Sequence, residues 1–341
     1  MKPWDKRDDM VVHEGEPFNA EAPAAALAAG VVTEVDGFYC RNHGTVPEEG
    51  PEEWRLVVDG LVRQELRLSL DALRGGFARC EVVATLQCAG NHRAGLMDVR
   101  DIPGEIRWGS GAISTARWTG VRLADVLERA GIEDGAAHIA FEAPDVAKDA
   151  LPPQPYGASV PVAKARSGEV LLAWAMNGRP LPPVHGAPLR VVVPGWIGAR
   201  SVKWVRRVTA RAEPSTNYFQ ATAYRLPSGS GSMPLEAVAV NCGILRAGRG
   251  EAVGYAYAGD GRGVARVEVS ADGGHTWTRA ELDAPPGPWA WQHWRAAVPT
   301  TAGTELVARA WDCDGTPQPQ CAAALWNPKG YANNAWARMR L

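Results

Sequence analysis

The chain has 341 residues, 46% hydrophobic and 22% charged, with a formal net charge of −2. That composition belongs to a folded globular protein and excludes disorder as the main state; at roughly 150 residues per domain, the length suggests about two domains. A charge this close to neutral excludes whole-chain attraction to nucleic acid or an anionic membrane, so any anion site has to come from a local basic cluster.

Met1 to Met10 is polar and mixed in charge, with no apolar segment of a secretory leader. The expected compartment is therefore the cytoplasm, or the periplasm if a leader has been removed. The longest apolar run, Val170 to Met176, is too short to span a bilayer. The six cysteines (40, 80, 88, 242, 313 and 321) contain no CxxC pair and no CxxCH. That spacing argues against a zinc finger, a thioredoxin-type motif and covalent c-type haem, and the density argues against a disulfide scaffold.

Scattered Gly and Pro, 37 and 26 residues, predict many short elements. In chain order, strands are predicted at Trp54 to Val58 and Glu81 to Leu86. A helix is predicted at Leu123 to Ala130 with Gly131 as its C-cap, and a second at Glu169 to Met176, stopped by Asn177-Gly178. A third strand is predicted at Leu189 to Val193. The first two thirds thus read as mixed α and β. Leu226 to Met233, rich in Gly, Ser and Pro, marks a boundary.

Beyond that boundary no convincing helix is seen. Strands are predicted at Val253 to Ala258, Val264 to Ser270, Thr276 to Glu281, Trp289 to Ala297 and Glu305 to Asp312, with Gly- and Asp-containing turns between them. This spacing suggests a β-sandwich of roughly 100 residues. Seven of the fourteen tryptophans lie in it, as core or as contacts to another surface.

Three places carry candidate chemistry. Cys88 lies in Leu86 to Asn91 (LQCAGN), at the end of a strand-like run and ahead of a small-residue turn. A lone Cys there reads either as a small buried hydrophobe or as a functional thiol. The turn permits close approach of a cofactor, and Arg93 favours a thiolate or a bound anion. Arg41-Asn42-His43, between aromatic residues and a Gly/Pro turn, suits an anionic or heteroaromatic ligand or is a solvated loop. The segment His185 to Trp204 sets His185, Arg190, Arg200, Ser201 and Lys203 around an apolar strand, as in a phosphate site or a solvated basic face.

Six ordered segments resemble the sulfite oxidase family, in a haem-free form similar to the plant type. They are LQCAGN, FYCRNHGTVP (38–47), GSGAISTARWTGVRL (109–123), MNGRPLPPVHGAPLRVVVPG (176–195), GARSVKW (198–204) and WNPKGYANNAW (326–336). The resemblance runs over about residues 17 to 341. It implies an α+β fold, with a mixed α/β molybdopterin domain followed by an immunoglobulin-like dimerisation domain. The implied divisions are an extension over 1–16, a catalytic domain over 17–228 and a dimerisation domain over 229–341.

The resemblance also implies a molybdenum-molybdopterin cofactor, no haem, a homodimer, and no nucleic-acid or membrane partner. Cys88 matches the thiolate that ligates molybdenum. The implied cofactor pocket is Tyr39, Cys40, Arg41, Asn42, His43, Asp145, His185, Arg190, Ser201, Val202 and Lys203. The implied catalytic set is Cys88 with Arg41, Arg93, Trp108, Tyr224 and Lys329. Sulfite is the implied substrate, with dioxygen or an external cytochrome c as acceptor. Two positions depart from the pattern. Lys329 stands where the family's sulfite oxidases carry Arg, keeping the charge but losing the planar fork. Plant-type nitrate reductases tend to lack a basic group there, so Lys329 leans toward sulfite. His92 stands where an Arg often precedes the match to Arg93. The alternatives are a molybdenum enzyme of the same fold acting on nitrate or another S-oxyanion, or a non-catalytic binding protein built on the C-terminal sandwich.

Overall fold

The structure is a computed structural model and describes residues 3–48, 50 and 52–341. The strand that leads to Cys88 runs Arg79–Gln87; its first half is largely open to solvent and Ala84–Gln87 are buried. The chain therefore enters the core just before the thiol. Nine residue pairs join this strand to Ile113–Arg122, which pairs in turn with Leu171–Met176. Arg179–Pro180 and Arg190–Val192 complete this antiparallel sheet. A second sheet runs in the order Leu66–Leu68, Leu56–Gly60, Arg207–Arg211, His138–Ala147, Gln154–Pro161. One of its pairings, Leu56–Gly60 with Arg207–Arg211, is parallel.

The helix Leu123–Ala130 forms as predicted. It buries Leu123, Val126, Leu127 and Ala130 on one face and ends on Gly131, whose φ of 71° suits the left-handed cap. The predicted helix at Glu169 to Met176 does not form. Leu171–Met176 is a strand bonded on both sides, and Val170 to Ala173 are fully buried. A short continuous apolar run suits a two-sided strand as well as a buried helix, and ladder partners from distant sequence decide between them.

The Gly/Ser/Pro stretch folds as a hairpin, Arg225–Ser228 against Gly231–Pro234. Beyond it, two four-stranded antiparallel sheets enclose a separate core that includes Val267, Val269, Leu306, Ala308 and Trp294. The strands Val264–Ser270 and Glu305–Asp312 have the predicted limits. The predicted strand at Thr276 to Glu281 is divided: Thr278–Arg279 joins one sheet and Glu281–Leu282 the other, so the chain changes sheets at buried Ala280. Two strands were not foreseen, Asn241–Gly248 and Ala337–Arg340. The only helical turn found here among the described residues is Ala322–Leu325.

The seven tryptophans take different places. Trp294 fills the sandwich core. Trp289 and Trp291 join the two units: Thr85 N donates to Trp289 O at 2.9 Å, Trp291 N donates to Thr85 Oγ1 at 2.8 Å, and Trp291 Nε1 reaches Val31 O at 2.8 Å. Trp291 also stacks on Tyr255 with ring centres 5.1 Å apart. Trp326 Nε1 donates to Arg100 O at 2.9 Å. Trp277, Trp311 and Trp336 flank Arg309 on the outer face of one sheet.

Trp291→Ala is expected to cost about 3–5 kcal/mol, as for a fully buried aromatic. It should also divide one calorimetric unfolding transition into two, because the indole bonds both units.

Candidate functional site

Cys88 N donates to Ala112 O at 2.9 Å, which carries the sheet register one residue past the strand end. The turn then closes with Asn91 N on Cys88 O at 3.0 Å, and Gly90 N points at Cys88 Sγ at 3.4 Å. A Cβ at Gly90 would lie 2.8 Å from the Arg93 guanidinium carbon and 2.9 Å from the Trp108 ring, so the turn needs glycine. Burial pushes the Cys88 thiol up; Arg93 and Arg41 oppose that shift.

The thiol opens into a cleft of about 640 Å³, measured with its mouth. The cleft brings together eleven of the sixteen residues singled out from the sequence: Tyr39, Arg41, Asn42, His43, Cys88, Asp145, His185, Arg190, Ser201, Lys203 and Tyr224. A second cleft of about 790 Å³ shares Arg41 and His43 and adds Arg93 and Lys329. Cys40, Val202 and Trp108 line neither cleft. Cys40 is buried in a neighbouring cluster with Val184 and Trp204. Val202 offers its backbone, accepting from Val191 N at 2.8 Å. Trp108 is fully buried behind Gly90, edge-on to His13 at 4.8 Å. It therefore supports the thiol turn from behind and forms no wall of either cleft.

Two basic residues of the first cleft are anchored on backbone carbonyls. Arg190 donates to His185 O at 2.9 Å and Ser201 O at 3.1 Å and lies 4.8 Å from the Trp118 ring. Lys203 Nζ donates to Arg41 O at 3.0 Å, Val184 O at 3.1 Å and the Asn42 side chain. Burial lowers both cations, Arg190 to about 10. Asp145 is raised by burial, and its Oδ1 has no hydrogen-bond partner. Arg200, in the same basic segment, turns elsewhere: it donates to Leu235 O at 3.0 Å and Phe219 O at 3.1 Å and ties the hairpin to the first unit.

His43 and Tyr224 form a pair, Nε2 to hydroxyl 2.7 Å. His43 stacks on Tyr156 at 4.6 Å, and Tyr224 on Tyr331 at 5.1 Å. Tyr224 adopts a φ of 47° at the base of the hairpin, where its carbonyl accepts from Leu235 N at 2.8 Å. Burial lowers His43 well below 6.5 and raises the Tyr224 phenol, so the pair is neutral.

The C-terminal unit completes the site. Ala332 N donates to Ala89 O at 2.8 Å, and Asn333 Nδ2 to His92 O at 2.8 Å. Arg93 Nε donates to Gly330 O at 3.2 Å. A Cβ at Gly330, where φ is 59°, would lie 2.5 Å from Arg93 Cγ. Lys329 follows from that placement. His92 turns away from the clefts: its Nε2 lies 3.0 Å from the Tyr255 hydroxyl, which itself donates to Ser110 O, so His92 is the donor. Its neutral imidazole, lowered to about 4 by burial, makes a domain contact.

Sequence reasoning missed Tyr156, Trp204, Gly198 and Ala199 as lining residues, and Glu105 and Lys6 altogether. The nearest signal was GARSVKW, which contains Gly198; a Cβ there would lie 2.7 Å from the Tyr39 hydroxyl. Lys6 is buried and places its ammonium 2.6 Å from His185 Nε2, so Nε2 accepts and Nδ1 carries the proton.

A large anionic group with hydrogen-bonding edges fits these residues. They offer buried cations, an unpartnered carboxylate oxygen and close backbone at Gly198. Among the described residues, no cluster of three His, Cys, Asp or Glu side chains could hold a metal ion. Among the same residues, no helix is long and apolar enough to cross a membrane.

Residues 43–219 match the oxidoreductase molybdopterin binding domain, and residues 235–341 the Mo-co oxidoreductase dimerisation domain. The class is thus a molybdopterin-binding oxidoreductase. The chain is 43% identical to chicken (Gallus gallus) sulfite oxidase, over 96% of this chain and 76% of that protein. It is 36% identical to Arabidopsis thaliana sulfite oxidase, over 98% and 94%. It is 37% identical to barley (Hordeum vulgare) NAD(P)H nitrate reductase, over 99% of this chain and 42% of that protein. Its fold matches the crystal structure of the sulfane dehydrogenase SoxCD from Paracoccus pantotrophus with a TM-score of 0.82 and 27% identity, covering 98% of this chain and 86% of that one. The chain belongs to the sulfite oxidase family.

Both His43 and His185 are held neutral by burial, with nearby cations adding to the effect. The unfolded chain binds protons below about 6.5 that the folded chain refuses, so stability is full above that pH and is lost as pH falls. The expected slope is up to about 1.4 kcal/mol per pH unit for each histidine. Urea unfolding at neutral and mildly acidic pH should show it, and His43→Asn should reduce it by one histidine's share.

Proposed function

We propose that the chain oxidises sulfite to sulfate at a molybdenum cofactor ligated by Cys88, acts as a homodimer, and passes electrons to dioxygen or an external carrier such as a cytochrome c. One observation carries this reading: the buried Cys88 thiol has Arg41 and Arg93 as its cationic neighbours, and Lys329 reaches the adjoining cleft from the other unit. When bound, the cofactor supplies the two-electron redox chemistry and the oxygen transfer.

The chain's own residues do the rest. Cys88 would be the soft donor that holds the metal, as a thiolate. Arg190, Lys203 and Ser201 suit the cofactor's phosphate. His185, Asp145, Asn42 and Tyr39 suit its heterocycle, with His185 offering Nδ1–H because Lys6 occupies Nε2. Arg41, Arg93 and Lys329 draw in a small dianion and offset its desolvation. Tyr224 donates a hydrogen bond to the reacting anion, and neutral His43 behind it orients that hydroxyl.

Nitrate is the second reading, supported by the 37% identity to barley nitrate reductase. Lys329 beside Arg93 favours the more highly charged sulfite. Steady-state assays of sulfite with ferricyanide, cytochrome c and dioxygen, alongside nitrate with a reduced dye, test substrate and acceptor together. Sulfite turnover with no nitrate turnover is expected; the reverse would overturn the proposal.

Cys88→Ser is expected to abolish sulfite oxidation and reduce bound molybdenum, checked by elemental analysis beside the assay. Arg93→Gln should raise the sulfite KM about 10- to 100-fold, the worth of one charged hydrogen bond, with a smaller loss in kcat.

A further inference from the structure

The second cleft contains a carboxylate among its cations. Glu105 Oε2 lies 3.3 Å from Arg93 Nη2, and Glu105 Oε1 lies 3.0 Å from Lys329 Nζ. The side chain is 18% exposed and lines the second cleft. One carboxylate therefore spans the two cations, one oxygen to each, as an oxyanion would.

Arg93 does not need this contact for its position. Its Nη1 donates to Ile106 O at 2.9 Å and its Nε to Gly330 O at 3.2 Å, and its guanidinium lies 5.3 Å from the Tyr331 ring centre. Backbone carbonyls and packing hold the guanidinium whether or not Glu105 is charged. Lys329 is half exposed, and the contact of its ammonium is with Glu105. The carboxylate thus occupies charge that the cleft presents, while the position of the cation next to the thiol rests on other contacts.

We propose that Glu105 is an internal competitor for the anion seat between Arg93 and Lys329, and that it sets the affinity for the oxyanion. An incoming anion must displace the carboxylate from both cations, and part of its own attraction offsets the pair it breaks. The carboxylate belongs to the chain and its effective concentration is fixed, so it weakens every anion that uses this seat. The assignment deepens the sulfite reading and rests on it for the identity of the anion, but the seat can be probed with an anion that does not react.

The test uses the cofactor-loaded protein and its Glu105→Gln and Glu105→Ala variants. Sulfate binding is measured by isothermal titration calorimetry, and sulfite KM and kcat by steady-state assay. Glu105→Gln keeps the shape and removes the charge; it is expected to tighten sulfate at least fivefold and lower the sulfite KM by a similar factor, with kcat moving less than KM. Glu105→Ala should move both in the same direction and serves if the Gln variant does not fold. Unchanged or weaker sulfate binding in the folded variants would overturn the proposal; weaker binding with a raised KM would make Glu105 a support for Arg93. If the wild-type protein does not turn over sulfite while sulfate still tightens in the variants, the sulfite reading fails and the competitor stands. If sulfite is oxidised and neither constant moves, the competitor fails and the sulfite reading stands.

Discussion

Three hydrogen bonds hold the last segment of the chain against the turn that carries Cys88: Ala332 to Ala89, Asn333 to His92, and Arg93 to Gly330. Two of them use backbone carbonyls of the turn as acceptors, and the third spends the guanidinium of Arg93 on the returning segment. The thiol, its neighbouring cation and the second cation at Lys329 are placed by this one junction. Buried backbone groups have to be paired, so the turn and the returning segment satisfy each other, and neither has its geometry alone.

Around that junction the protein maintains charge in a place that disfavours it. Burial lowers Arg190 and Lys203, raises Asp145 and the Cys88 thiol, and holds His43 and His185 neutral. Such a pocket is stabilised by a ligand of complementary charge, and its perturbed groups mark where that ligand belongs. Neutral imidazoles beside fixed cations divide the labour: cations attract, while imidazoles and the phenol of Tyr224 orient without adding charge.

The two units are also joined away from the site. Trp291 bonds Val31 and Thr85, Tyr255 bonds Asn91 and Ser110, and Arg200 holds carbonyls on both sides of the hairpin. Side chains that look like sandwich core in a list of tryptophans serve instead as a hydrogen-bonded seam.

Much was legible in the sequence by itself. The helix Leu123–Ala130 and the strands Val264–Ser270 and Glu305–Asp312 follow from local periodicity and turn residues, because those signals act over a few residues. Cys88, Arg41, Arg190 and Lys203 stood out because ordered motifs with those residue types are rare. Tertiary structure alone decided that Leu171–Met176 is a strand, since its partners lie some distance along the chain. It also sent Arg200 to structural carbonyls, put Trp108 behind the turn, faced His92 to the other unit, and set Glu105 between Arg93 and Lys329. The physical reason is common to all of them: a side chain's direction and partner depend on what packs beside it, and residue 105 meets residue 329 only after both units have folded together.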